Sequence, residues 1–125
     1  MLTRREFLIG LSGLLAGCAA LGSEPDYTVV IGFNPSFEPG SLNVPRGAMV
    51  AWHNMGDRVH TITADPSKSQ TPERVLLPSG VAPFDSGDLF AGERWVYTFD
   101  TPGTYVYFCR YDEELGMIGS INVSG

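Results

Sequence analysis

Tyr107-Phe108-Cys109-Arg110-Tyr111-Asp112-Glu113-Glu114-Leu115-Gly116-Met117 is the stretch whose reading decides this chain. An aromatic run ends in a thiol, a carboxylate follows at Asp112, and a thioether follows at Met117. A loop with these donors can wrap a soft metal ion, since thiolate and thioether sulfur, together with imidazole, suit copper. The sequence offers two imidazoles, His53 and His60, both upstream.

Outward from the loop, the pattern is that of strands. Thr104 to Cys109 follows the tight turn Asp100-Thr101-Pro102-Gly103, and Trp95, Tyr97 and Phe99 alternate with Val96 and Thr98 before it. On the other side, Met117 to Val123 reads as a final strand lying beside Thr104–Cys109 and closing the sheet. Earlier in the chain, Val50 and Trp52 share one face of a strand, so Ala51 and His53 are expected on the other. That parity makes His53 a solvated strand histidine and leaves His60, beyond the Met55-Gly56-Asp57 turn, as the candidate ligand. Asp65 to Pro83 is polar and broken by Pro66, Pro72, Pro78 and Pro83, which predicts an excursion with one helical turn or a short edge strand. Tyr27 to Phe33 is β-rich, and Phe37, Leu42 and Val44 lead into a turn at Pro45-Arg46-Gly47. Seven or eight short strands without helical periodicity predict an all-β sandwich.

The N-terminus has a different character. Thr3-Arg4-Arg5-Glu6-Phe7-Leu8 is a twin-arginine pattern ahead of an apolar run to Ala16, which is short of the ~20 residues that span a bilayer. An export signal over residues 1–17 is expected, and Leu15-Ala16-Gly17-Cys18 resembles a lipobox, which would make Cys18 a lipidation site; the alternative is ordinary cleavage near Ala20, leaving a soluble periplasmic protein. Residues 18–26 then form anchor and linker, and residues 27–125 a single domain. With Cys18 lipidated, Cys109 is an unpaired thiol in an oxidising compartment, a liability unless buried or metal-bound. Of the 125 residues, eight are basic and fourteen acidic; removing the leader leaves six and thirteen, a surface unsuited to nucleic acid. Phosphate-binding Gly-rich loops, paired Cys-x2-Cys knuckles and a Gly-x-Ser-x-Gly elbow are absent from the sequence.

With Arg58-Val59-His60-Thr61-Ile62-Thr63 included, the loop resembles that of the cupredoxins, the plastocyanin-like small blue copper proteins. The likeness extends over Phe37-x-Pro39-x2-Leu42-x-Val44-x2-Gly47, Trp52-x-Asn54 and Gly103-Thr104-Tyr105, nearly all of the expected mature chain. It implies a Greek-key sandwich, with Tyr105 as its corner tyrosine, holding one copper ion per chain. His60 and Cys109 would be the strong ligands and Met117 the weak axial one. The family's closing loop reads Cys-x2-His-x4-Met, whereas here it reads Cys109-x2-Asp112-x4-Met117, so Asp112 stands where the second His is expected. Asp112 either coordinates, as a harder donor favouring Cu(II), or turns outward with Glu113 and Glu114.

The resemblance implies a one-electron carrier rather than an enzyme, serving redox partner proteins; the N-terminal pattern adds export and a lipid anchor at a membrane face, and a monomer is expected. In the family the second His is the electron port, so a port built on Asp112 would be acidic. A copper-storing protein and a metal-free interaction module are the alternatives. Multicopper oxidase chemistry needs many imidazoles, and this chain has two.

Overall fold

A computed structural model describes residues 24–125. The expected leader, the Cys18 lipidation site and the start of the linker lie outside the described residues. The described chain forms nine strands: β1 (Tyr27–Ile31), β2 (Phe37–Glu38), β3 (Ser41–Pro45), β4 (Ala48–Asn54), β5 (Thr63–Ala64), β6 (Phe84–Asp85), β7 (Arg94–Phe99), β8 (Gly103–Phe108) and β9 (Ile118–Ser124). They make two sheets, ordered β2-β1-β4-β7 and β3-β9-β8-β5-β6. Within them β1 runs parallel to β4 and β3 parallel to β9, while the remaining pairs are antiparallel. Parallel neighbours require connections that leave the sheet and return, so the chain crosses between layers instead of folding as successive hairpins.

Alternation along each strand supplies the core. Val50 and Trp52 of β4 face inward as expected and are fully buried, and so are Tyr105 and Tyr107 of β8. The Trp52 and Tyr107 rings meet edge to face with centroids 5.4 Å apart, and Phe37 caps Tyr107 at 4.8 Å. Such pairs each add about 0.5–1.5 kcal/mol beyond the area they bury. Tyr105 donates its hydroxyl to the Thr101 carbonyl at 2.7 Å, the corner-tyrosine contact expected from its position. The predicted final strand pairs antiparallel with β8 over its length.

Two expectations need amendment. Ala51, placed by parity on the outer face of β4, is fully buried, and His53 is half-buried. Strand β4 lies between β1 and β7, with Thr28 and Val96 beside Ala51 and Val30 and Arg94 beside His53. A methyl group between longer neighbours on a central strand is shaded from water whichever face it is on. The proline-broken segment holds two one-turn 3₁₀ helices, Pro66–Lys68 and Pro72–Arg74, then a bridge between Leu76 and Val106. That bridge draws the excursion onto β8, the strand that leads into Cys109.

Candidate metal centre

The loop after β8 is closed by its own backbone. Cys109 N–H donates to the Met117 carbonyl at 3.1 Å, and inside that link the Asp112 carbonyl accepts from Leu115 N–H at 3.0 Å and Met117 N–H at 3.2 Å. Asp112 N–H returns to the Cys109 carbonyl at 3.2 Å, and a 3₁₀ turn, Glu113–Leu115, ends at Gly116 with φ of 84°. A side chain at position 116 would be strained in that left-handed conformation. The result is a compact loop in which Cys109, Asp112 and Met117 are each at most 2% exposed.

His60 comes from the crossing between the sheets. Its backbone exchanges two hydrogen bonds with Leu89, N–H to O at 3.1 Å and O from N–H at 2.8 Å. The turn before it is pinned by buried Asn54, whose Nδ2 donates to the carbonyls of Arg58 at 2.7 Å and Leu89 at 3.0 Å while its Oδ1 accepts from Gly56 N–H at 3.0 Å. His60 is 1% exposed.

These elements bring three donors together. His60 Nδ1 lies 3.2 Å from Asp112 Oδ2 and 3.6 Å from Cys109 Sγ, and the third edge, Sγ to Oδ2, is 3.8 Å. A trigonal first-row metal holding N, O and S donors at about 2.0–2.3 Å sets them about 3.5–3.8 Å apart. The donor triangle therefore fits one metal ion, with one edge slightly short. Met117 is buried alongside, its backbone bonded to both Cys109 and Asp112. His53 is not in the group.

Electrostatics follow from burial. Loss of water holds the His60 imidazole below its ordinary pKa, and Arg58 pulls the same way, while Asp112 partly opposes both. The Cys109 thiol is pushed up by burial, against the N–H groups of Thr61, Tyr111 and Asp112 around it. A neutral imidazole is ready to ligate, whereas the thiol must lose its proton when a metal enters, which couples uptake to proton release. Thr61 braces the sulfur and the backbone after it: its N–H points at Sγ at 3.4 Å, and its Oγ1 accepts from Arg110 N–H at 2.9 Å.

The acidic loop is not turned outward as a unit. Asp112 points into the cluster and Glu113 is 4% exposed, leaving Glu114 in solvent. Glu113 accepts hydrogen bonds from Ser69 Oγ and from Gln70 N–H, the latter at 3.0 Å, with Arg74 Nη1 3.8 Å away. The expected acidic port is likewise amended, because Asp112 is buried and its Oδ1 faces Arg58 Nη2 at 3.5 Å, with the Arg58 side chain 60% exposed. Arg58, Thr61 and Glu113 were not singled out by sequence spacing. Arg58 and Thr61 flank His60 in its hexapeptide, and that proximity is the one signal that could have flagged them.

Comparisons with known proteins agree with this architecture. A profile of copper-binding proteins of the plastocyanin/azurin family matches residues 28–124. Plastocyanin of Scenedesmus fuscus is 35% identical over 105 residues, covering 78% of this chain and 99% of that protein. Plastocyanin of Nostoc punctiforme is 30% identical over 93 residues, covering 72% and 66% respectively. Among solved structures, a purple cupredoxin from Nitrosopumilus maritimus superposes with a TM-score of 0.61 at 23% identity, covering 79% of this chain and all of that one. An oxidised methionine-to-leucine mutant of amicyanin superposes with a TM-score of 0.65 at 24% identity, covering 85% and 89%. The chain belongs to the plastocyanin/azurin family of copper-binding proteins.

Proposed function

We propose that this protein is an exported one-electron carrier whose modified type 1 copper site is formed by His60, Cys109, Asp112 and Met117. The preassembled triangle of His60 Nδ1, Cys109 Sγ and Asp112 Oδ2 carries the reading. Copper bound there supplies the Cu(II)/Cu(I) couple. Each residue then has a task. His60 gives a neutral nitrogen held by the Leu89 pairing and the Asn54 bracket. Cys109 gives a thiolate braced by Thr61. Asp112 gives one oxygen to the site while the other meets Arg58, and Met117 fills the remaining buried side.

Two anionic donors match the charge of a dication, and the Arg58 guanidinium offsets part of the Asp112 charge when that dication gains an electron. Because hydrogen bonds fix both donor segments, little has to move between the two oxidation states. That rigidity favours a relay over a store, which would need ready release. Among the described residues the one thiol beside an imidazole, Cys109 beside His60, is sealed from solvent with its partner, which favours carriage over turnover. Export through the twin-arginine leader and a lipid on Cys18 would hold the monomer at a membrane face near its redox partners.

The test is a copper titration of the full-length chain in detergent, followed by visible absorption, beside an Asp112→His variant. An intense thiolate-to-copper band saturating at one copper per chain is expected, displaced in the variant because the ligand changes. A native chain that takes up no copper while the variant colours would end the carrier reading. An identical band in both proteins would remove Asp112 from the ligand set.

A further inference from the structure

The four proposed donor residues are at most 2% exposed, so none of them offers an edge on which a partner could take an electron directly. Electronic coupling falls far more steeply through space than along covalent bonds and short hydrogen bonds, so the useful exit is a surface group joined to the donors by such bonds. Two routes of that kind lead to one place. From Cys109 the chain itself runs through Arg110 to Tyr111. From His60 the paired hydrogen bonds of 3.1 and 2.8 Å cross to Leu89, whose neighbour Asp88 accepts the Tyr111 hydroxyl at 2.6 Å.

Both routes thus close on the Tyr111 ring, which is 52% exposed. The ring is also held still. Arg110 places its guanidinium 5.9 Å from the ring centroid, within cation–π range, and is itself tied to Asp85 at 3.0 Å and Asp88 at 4.0 Å. Among the other exposed apolar residues, Phe90 follows Leu89 and so shares the His60 route, and Leu115 N–H meets the Asp112 carbonyl at 3.0 Å, but Phe90 stands on the His60 route alone and Leu115 presents no ring, whereas the Tyr111 ring is joined to both Cys109 and His60. Arg58 touches Asp112, but at 3.5 Å and through a flexible side chain that is mostly in water.

Resting on the copper reading above, we propose that Tyr111, locked to Asp88, is the electron port of this protein. One electron passes from the reduced site through this bridge to an oxidised partner centre. The site is left oxidised by one electron and the partner reduced by one, no bond forms or breaks, and the Tyr111 hydroxyl keeps its proton. Tyr111 acts as a bridge, not as a ligand, so its replacement should alter rates while leaving the site's spectrum and potential in place.

The test uses the copper-loaded full-length chain and its Tyr111→Phe, Tyr111→Leu, Asp88→Ala and Arg58→Gln variants, reacted with hexacyanoferrate(III) and with tris(phenanthroline)cobalt(III). Reagents of opposite charge separate coupling from steering, because a charge effect reverses between them and a coupling effect does not. For both oxidants Tyr111→Leu should lower the rate constant about tenfold at matched driving force. Tyr111→Phe and Asp88→Ala, which sever only the His60 route, should fall between it and the native chain. Hydrogen exchange at the His60 and Leu89 amides of metal-free Tyr111→Phe should be unchanged, showing that the variant cuts the bridge and not the fold. Unaltered rates in Tyr111→Phe and Tyr111→Leu overturn the port, and so does a loss confined to Arg58→Gln. If Tyr111→Leu fails to hold copper, an unaltered rate in Tyr111→Phe is by itself enough to overturn it. A native chain without a thiolate–copper band defeats the copper reading, and the port with it; a native band with unchanged variant rates defeats the port alone.

Discussion

Glu113→Ala is expected to loosen the metal loop before any metal is added. In the native chain the Glu113 carboxylate is 4% exposed and joins the loop to a segment more than forty residues upstream through Ser69 Oγ and Gln70 N–H. Hydrogen bonds to a charged group are worth about 1.5–3 kcal/mol each. Ser69 is half-buried and Gln70 exposed, so water replaces part of what is lost and the lower end of that range applies. Arg74, 37% exposed at 3.8 Å, adds well under about 1 kcal/mol. The expected cost is therefore about 2–3 kcal/mol, a large share of the roughly 5–15 kcal/mol that holds a domain together. Urea unfolding of the metal-free chain measures it. Ser69→Ala and the double variant complete a cycle in which the two changes should be far from additive. Glu113→Gln keeps an acceptor for one partner and should lose about half as much. A cost below about 0.5 kcal/mol for Glu113→Ala, the level of an ordinary surface change, would refute the latch.

Three further outcomes follow from the geometry. At Gly119 a β-carbon would run into the Tyr107 hydroxyl, whose ring Trp52 and Phe37 hold in place; Gly119→Ala should cost about 1–3 kcal/mol, seen as a lowered thermal midpoint. Asn54→Ala leaves the Gly56 N–H and the Arg58 and Leu89 carbonyls short of a partner; it should cost about 1–3 kcal/mol in urea and weaken copper binding by freeing the turn that presents His60. Burial alone would raise the Asp85 pKa, but the Gly87 N–H, Lys68 and Arg110 together hold its carboxyl below the ordinary 3.8. Its contribution to stability is complete above that value and is lost as pH falls through the lower folded pKa. Acid unfolding of metal-free Asp85→Asn should lack that increment.

The sandwich was legible because its signals are local. Val50 with Trp52 and Trp95 with Tyr97 and Phe99 alternate within single strands, and the turn at Pro102-Gly103 marks where β8 begins. The spacing from Cys109 to Met117 likewise encodes a closed loop, since a backbone of that length can fold back to hydrogen-bond its own start. Where expectation and structure part, the cause is a neighbour distant in sequence. Ala51 is covered by residues of β1 and β7, and Glu113 is drawn inward by the excursion that its spacing gave no reason to connect with the loop.

Asp112 joins both kinds of information. Its position in the loop is local and was readable, but the direction of its carboxylate depends on what surrounds it. A charged carboxylate is buried at a cost unless hydrogen-bonded or paired, and in water Asp112 would have no reason to turn inward. Inside, it finds His60 on one oxygen and Arg58 on the other. The Glu113 latch and the carbonyl bonds to Leu115 and Met117 leave the loop no room to swing it out. Replacing an imidazole by a carboxylate at this position therefore reverses the local charge pattern: the negative group is internal and the exposed group beside it is an arginine. With the four proposed donor residues buried, electron exchange would pass through a residue outside them, and a bonded route from Cys109 and another from His60 meet at Tyr111.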